Sequence, residues 1–98
     1  MAAYLIVQIE ITNPQAYELV KKLTPPTIKN FGGKYLARGG NTETLEGDWK
    51  PKRLVILEFE DIKQAKAWWN SSEYAPVKEL RQLNAITNMV LTEGFPGF

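Results

Sequence analysis

Along Tyr4–Ile11 (YLIVQIEI) Leu5, Val7, Ile9 and Ile11 fall on one face and Tyr4, Ile6, Gln8 and Glu10 on the other. That two-residue period, rich in branched side chains, predicts a strand. The run Arg53–Glu60 (RLVILEFE) is denser, with five strongly apolar residues in eight, and reads as a central strand buried on both faces. Its alternation sets Val55, Leu57 and Phe59 against Leu54, Ile56 and Glu58. Two further runs, Lys34–Arg38 (KYLAR) and Ile86–Glu93 (ITNMVLTE), complete a set of four strands.

Between the strands the period lengthens. Asn13-Pro14 supplies a cap and a first helical residue, and Ala16, Leu19, Val20 and Leu23 form one stripe. Pro25-Pro26 must break or kink this helix, since neither residue donates a backbone hydrogen bond. A further turn over Ile28–Phe31 is closed by Gly32-Gly33. Asp61 with Gln64 resembles a capping box for a helix in which Ile62, Ala65 and Trp69 share a face and Trp68 points partly aside. Ser72 can cap a second segment, with Pro76 in its first turn and Val77, Leu80 and Leu83 as its stripe. Gly39-Gly40-Asn41 is a turn, Thr42–Gly47 a short extended arm, and Asp48–Lys52 a loop carrying Trp49.

The resulting order is strand, helix, strand, strand, helix, strand, within one domain over residues 1–98 that ends in an apolar tail, 95–98. The segment Val7–Asn13 is faintly echoed by Val55–Asp61, with a Glu near the end of each strand and the same kind of cap. Right-handed crossovers then place the first and third strands side by side, with both helices on one face. The fold class is α+β, a ferredoxin-like βαββαβ with a four-stranded antiparallel sheet. Its second face, carrying Tyr4, Ile6, Leu54 and Ile56 beside Gln8, Glu10 and Glu58, is too apolar for a lone chain. Two such faces meeting back to back predict a two-fold homodimer.

Composition narrows the chemistry. Twelve basic and eleven acidic residues give a net charge of +1, which argues against nucleic-acid binding by bulk electrostatics. The absence of cysteine and histidine removes thiolate nucleophiles, the usual general base and the commonest metal and haem ligands. Scattered acids define no metal site, and Gly39-Gly40 belongs to no phosphate loop. Lys21-Lys22 and Lys50/Lys52 read as solvated faces. No cofactor, no metal and no nucleic acid are therefore expected. The start MAAYLIVQIEI has neither the basic leader nor the long apolar core of a signal peptide, and charges follow too soon for a membrane span. A cytoplasmic chain without membrane contact is the expectation.

The segments Ala3–Val7, Gly32–Gly40 (GGKYLARGG), Leu45–Trp49 (LEGDW), Arg53–Phe59 and Ala67–Tyr74 (AWWNSSEY) follow one another in an order that resembles the family called domain of unknown function 1330. The likeness runs from about Ala3 to Gly94. It implies a member of the dimeric α/β-barrel superfamily: a homodimer whose sheets form a barrel, with a cleft between sheet and helices or inside the barrel. Relatives in that superfamily include cofactor-free monooxygenases, muconolactone isomerases, haem-degrading enzymes and stress-response proteins. The lack of histidine disfavours the haem branch.

Candidate site residues carry two readings each. Arg38, before the Gly-Gly turn, either anchors a carboxylate or enolate or pairs with Glu58 or Glu10. Glu58, a carboxylate in an apolar strand, is either a proton-transfer group with a raised pKa or the partner of an arginine. These two are the catalytic candidates. Gln8, Tyr35, Trp69 and Tyr74 are the ligand-binding candidates, the last two able to wall a pocket for a flat molecule or simply to fill core. Trp49 reads as a loop or dimer-edge residue, Arg53 as a charged strand terminus, and Arg81 as a surface partner of Glu73 or Glu79. The functional expectation is a homodimeric, cofactor-independent enzyme for a small organic molecule held in a barrel-face pocket; the alternative is a dimer that only binds a metabolite. Phe95 and Phe98 of the tail dock on the partner, plug the cleft, or fray.

Overall fold

The computed structural model describes residues 1–97. Its elements run β1 (Ala3–Ile11), α1 (Pro14–Asn30), β2 (Lys34–Arg38), β3 (Leu54–Phe59), α2 (Ile62–Trp69), α3 (Ala75–Asn84) and β4 (Ala85–Glu93). The strands form one antiparallel sheet in the order β2-β3-β1-β4, so the two most apolar strands lie at its centre. This is the ferredoxin-like arrangement, with the single helical segment before β4 divided into α2 and α3. The tail's last residue, Phe98, lies outside the described residues.

Strand alternation holds as read. Leu5, Val7 and Ile9 join Val55, Leu57 and Phe59 in the core beneath the helices, while Tyr4, Ile6, Gln8, Leu54, Ile56 and Glu58 are half-buried on the opposite, uncovered face. The central strand is thus fully covered on one side only. On the uncovered side Ile86 and Val90 are 59% and 62% exposed.

The helices depart from the sequence reading in their phase. In α1 the buried residues are Tyr17, Val20, Thr27 and Ile28, whereas Leu19 and Leu23 are largely exposed. The helix also runs unbroken through Pro25 and Pro26. Thr24 Oγ1 donates to the Val20 carbonyl at 2.6 Å and Thr27 Oγ1 to that of Thr24 at 2.7 Å, so side chains take up carbonyls near the missing donors. In α2 it is Trp68, 1% exposed, that enters the core and Trp69 that stands half-aside. The Trp68 ring stacks on Tyr74 at 4.1 Å and lies 5.6 Å from Phe59, and its indole donates to Thr27 Oγ1 at 3.0 Å. Ser72 does not cap the second segment, whose N-cap residue is Tyr74, without a side-chain cap. Ser71 holds the turn between the segments, its Oγ accepting from the Tyr74 amide at 3.1 Å and donating to the Trp68 carbonyl at 2.8 Å.

α3 holds the largest correction. Its inward face is Val77 and Arg81, continuing the spacing from Tyr74 on to Ala85, while Leu83 is 73% exposed. A pattern reading assigns arginine outward and so extends the stripe to Leu83, whereas Leu80 does pack, partly buried, against the core. In the folded chain the arginine points in.

Candidate ligand-binding cleft

A cleft enclosing about 50 Å³ opens between the sheet and the helices. Val7, Ile9, Val55 and Leu57 form its floor; Tyr17, Val20 and Ile28 of α1 and Trp68, Tyr74 and Arg81 of the α2–α3 segment form its walls. Tyr35 and Arg38 of β2, together with Arg53, close one side. Such a space, apolar with a few convergent polar groups, is the usual form of a ligand site, but its volume is far below the several hundred Å³ of drug-sized pockets. It suits a small molecule, or the head of a larger one.

A bulge puts Arg38 there. Lys34 faces Glu58 and Tyr35 faces Leu57, but Ala37 faces Ile56 and Arg38 faces Val55, so Leu36 is the extra residue. One inserted residue reverses the alternation: regular pairing would turn Arg38 to the uncovered face, and the bulge turns it to the helix side with Tyr35, where it remains exposed at the rim. There its guanidinium lies 4.6 Å from the Tyr35 ring centroid and donates to the Lys21 carbonyl at 2.7 Å. The expected pairing of Arg38 with Glu58 is therefore absent. Glu58 stays on the uncovered face, where its Oε2 lies 3.2 Å from Lys34 Nζ. The sheet separates the two catalytic candidates.

Arg53 extends the β1–β3 ladder, its carbonyl accepting from the Ile9 amide at 2.9 Å, and shares the parity of Val55 and Leu57. Its guanidinium rests on Gly39, whose φ is +69°; a Cβ there would lie 2.3 Å from Arg53 Nη1. The left-handed backbone favours glycine, and a Cβ there would displace the Arg53 guanidinium. Arg53 Nε is buried without a hydrogen-bond partner. Arg81, 6% exposed, has its Nε 3.3 Å from the Tyr74 hydroxyl and its Cζ 6.0 Å from the Trp69 ring centroid. It is not the surface partner of Glu73 or Glu79; Glu73 instead accepts from Asn30 Nδ2 at 2.7 Å.

Two tyrosines complete the polar set. Burial raises the pKa of Tyr17 above the ordinary phenol value, opposed by the positive charges of Arg53 and Arg81. Tyr35 is raised in the same way, chiefly by burial and against the charge of Arg38. Both phenols hold their protons at neutral pH and can donate to a bound oxygen.

Of the ligand-binding candidates, Tyr35 and Tyr74 line this cleft and Gln8 and Trp69 do not. Gln8 Oε1 accepts from the Trp49 indole on the uncovered face. Trp69 borders a shallower depression with Leu5, Lys66, Met89 and Leu91, and Lys78 Nζ sits 4.2 Å from its ring centroid. The sequence reading missed Tyr17, Arg53 and Arg81. Strand parity would have found Arg53, and counting back from Val20 would have found Tyr17; no local signal turns Arg81 inward. Among the described residues no cluster of acids suits a metal ion, and no helix is long and apolar enough to cross a membrane.

Solved structures share this architecture. A protein of unknown function from Rhodopseudomonas palustris superposes with a TM-score of 0.77 at 15% identity, over 98% of this chain and 84% of its own. A dimeric ferredoxin-like protein of unknown function from a Jannaschia species gives 0.70 at 11% identity, over 96% and 100%. SnoaB, a cofactor-independent oxygenase from Streptomyces nogalater, gives 0.66 at 10% identity, over 98% and 95%. At these identities the likeness is one of fold. No curated protein sequence matches the chain. The profile of one family matches residues 2–95, nearly the whole length, and the chain belongs to that family, described as a domain of unknown function, DUF1330.

Proposed function

We propose that this chain works as a cytoplasmic homodimer, each subunit holding a small organic molecule in the cleft between sheet and helices and acting on it without a cofactor. The observation that carries this reading is the convergence of Tyr17, Tyr35, Arg38, Arg53 and Arg81 on one apolar, half-open space. Guanidiniums there would stabilise charge developing on a substrate oxygen, and protonated phenols would supply the proton. The description of SnoaB as a cofactor-independent oxygenase agrees with that class of chemistry. The half-apolar uncovered sheet face, and the dimeric state of the Jannaschia neighbour, support the pairing of subunits. Glu58 and Gln8 belong to that seam in this reading.

A second reading, binding without catalysis, is favoured by one feature: no Asp or Glu lines the cleft, so an obvious general base is missing. Incubating the protein in D₂O with a small enolisable ketone or keto acid distinguishes the two. The enzymatic reading expects α-carbon exchange above the buffer rate, with solvent water taking the α-proton while the phenol protonates the carbonyl oxygen, and suppression by Tyr17→Phe. Binding without exchange across such a panel supports the second.

A further inference from the structure

The charges around the cleft do not balance. Lys21, Arg38, Arg53 and Arg81 line it, and no Asp or Glu does. Lys21 has its own partner, Glu18 Oε1 at 3.4 Å. Among the described residues none of the three arginines has a carboxylate within 4.0 Å. Arg38 has a backbone carbonyl, Arg81 the neutral phenol of Tyr74 and Arg53 that of Tyr17, while Arg53 Nε has no partner. A guanidinium carries five N–H donors and cannot be neutralised by losing its proton. Arg81 is buried and Arg53 half-buried, while Arg38 is exposed at the rim. Buried cations are normally paired, so the first two are built for a counter-charge brought from outside.

We infer that the ligand of this cleft is a small organic carboxylate or its enolate, gripped by the guanidiniums of Arg53 and Arg81; the inference rests on reading the cleft as the ligand site. One feature chooses this class over inorganic phosphate, and two more suit a carboxylate without excluding other oxyanions. The floor and walls are mainly Val, Ile, Leu and aromatic rings, which favour an apolar body behind the charged head. The guanidinium fork matches the planar carboxylate in two parallel hydrogen bonds. Tyr17 and Tyr35, kept protonated, add donors without adding negative charge. The small volume limits the occupant to a short acid, or to the acid end of a longer one.

The test compares propionate with its neutral analogue propionamide, and with inorganic phosphate, on the whole chain at matched ionic strength, by calorimetry and thermal unfolding. Propionate is expected to bind and to raise the unfolding temperature over matched chloride, with propionamide inactive. Arg53→Gln should weaken propionate about tenfold or more, as loss of a charge-assisted hydrogen bond does. Arg81→Gln should do the same, and because burial puts its folding at risk, Arg53→Gln serves as the primary variant. Without ligand, Arg53→Gln should unfold no earlier than the parent, since it removes a cation that no carboxylate neutralises. Equal binding of propionamide would overturn the anionic class while leaving the cleft a ligand site. Phosphate binding tenfold tighter than propionate would overturn the carboxylate. Binding of propionate undiminished in Arg53→Gln, or no binding of any probe, would also overturn the inference, and the exchange assay with enolisable ketones reads the catalytic proposal separately.

Discussion

Arg38 donates to the carbonyl of Lys21 at 2.7 Å, the carbonyl that Pro25 leaves without its helical donor. In a regular helix the amide of residue 25 would bond back to residue 21; proline has no N–H, so the acceptor is free to hold a side chain from β2. A residue that looks like a helix breaker thus helps to aim an arginine into the cleft.

Pro25→Ala should therefore separate stability from binding. Restoring the amide is expected to stabilise the protein by up to about 3 kcal/mol, the usual penalty of an interior proline. The new N–H competes for the Lys21 carbonyl, so affinity for a carboxylate should fall. Urea unfolding alongside propionate calorimetry checks both signs.

Gly39→Ala is expected to cost about 1–2 kcal/mol, because a left-handed backbone strains any Cβ, and to push Arg53 out of place. Gly40 is the control. A Cβ there meets nothing within 4 Å, so Gly40→Ala should be neutral or slightly stabilising. Thermal unfolding and carboxylate affinity of the two variants should diverge.

Glu58→Gln should leave ligand affinity in the cleft unchanged, since Glu58 lies across the sheet, paired with Lys34. The lost ion pair is partly exposed and worth no more than about 1 kcal/mol. By contrast, Trp68→Ala should cost about 3–5 kcal/mol, as truncating a buried aromatic does, and abolish binding with it. Parallel urea titrations compare the two.

Alkaline stability follows from the phenols. With the folded pKa of Tyr17 and Tyr35 raised, the native state retains protons that the unfolded chain loses. Stability is then fully present below the ordinary phenol pKa of about 10 and declines as pH rises through the folded values. Tyr17→Phe should shallow that decline, seen in unfolding free energies measured from pH 8 to 11.

The strands and their order were legible because alternation survives in single residues: Leu5-Val7-Ile9 and Val55-Leu57-Phe59 carry the core as their spacing says. The tyrosines of the cleft were legible in part, Tyr35 and Tyr74 being found and Tyr17 not. Arg81 was hidden because its inward turn depends on the cleft it completes, a tertiary effect with no local mark. Arg38 was recognised but set on the wrong side, since the bulge at Leu36 reverses the alternation without a glycine or proline to announce it. The unbroken α1 escaped notice for a similar reason, as the Lys21 carbonyl that Pro25 orphans is taken by Arg38 from the distant strand β2.

The uncovered face gives a separate expectation. Ile86→Asp or Val90→Asp, placing a charge where each side chain is more than half exposed in the single chain, should leave the fold intact and convert a sedimenting dimer to monomer. A parent that already sediments as a monomer at micromolar concentration would remove the dimer from the account.

The three tryptophans report on the whole proposal at once, because Trp68 walls the cleft, Trp69 borders the depression beside Leu5, and Trp49 bonds Gln8 on the far face. The decisive measurement is the ¹H–¹⁵N spectrum of their indole N–H groups during titration with propionate. The account predicts a saturable shift of the Trp68 signal with Trp49 unmoved. A shift confined to Trp49, or a Trp68 signal indifferent to ligand at saturation, would contradict it.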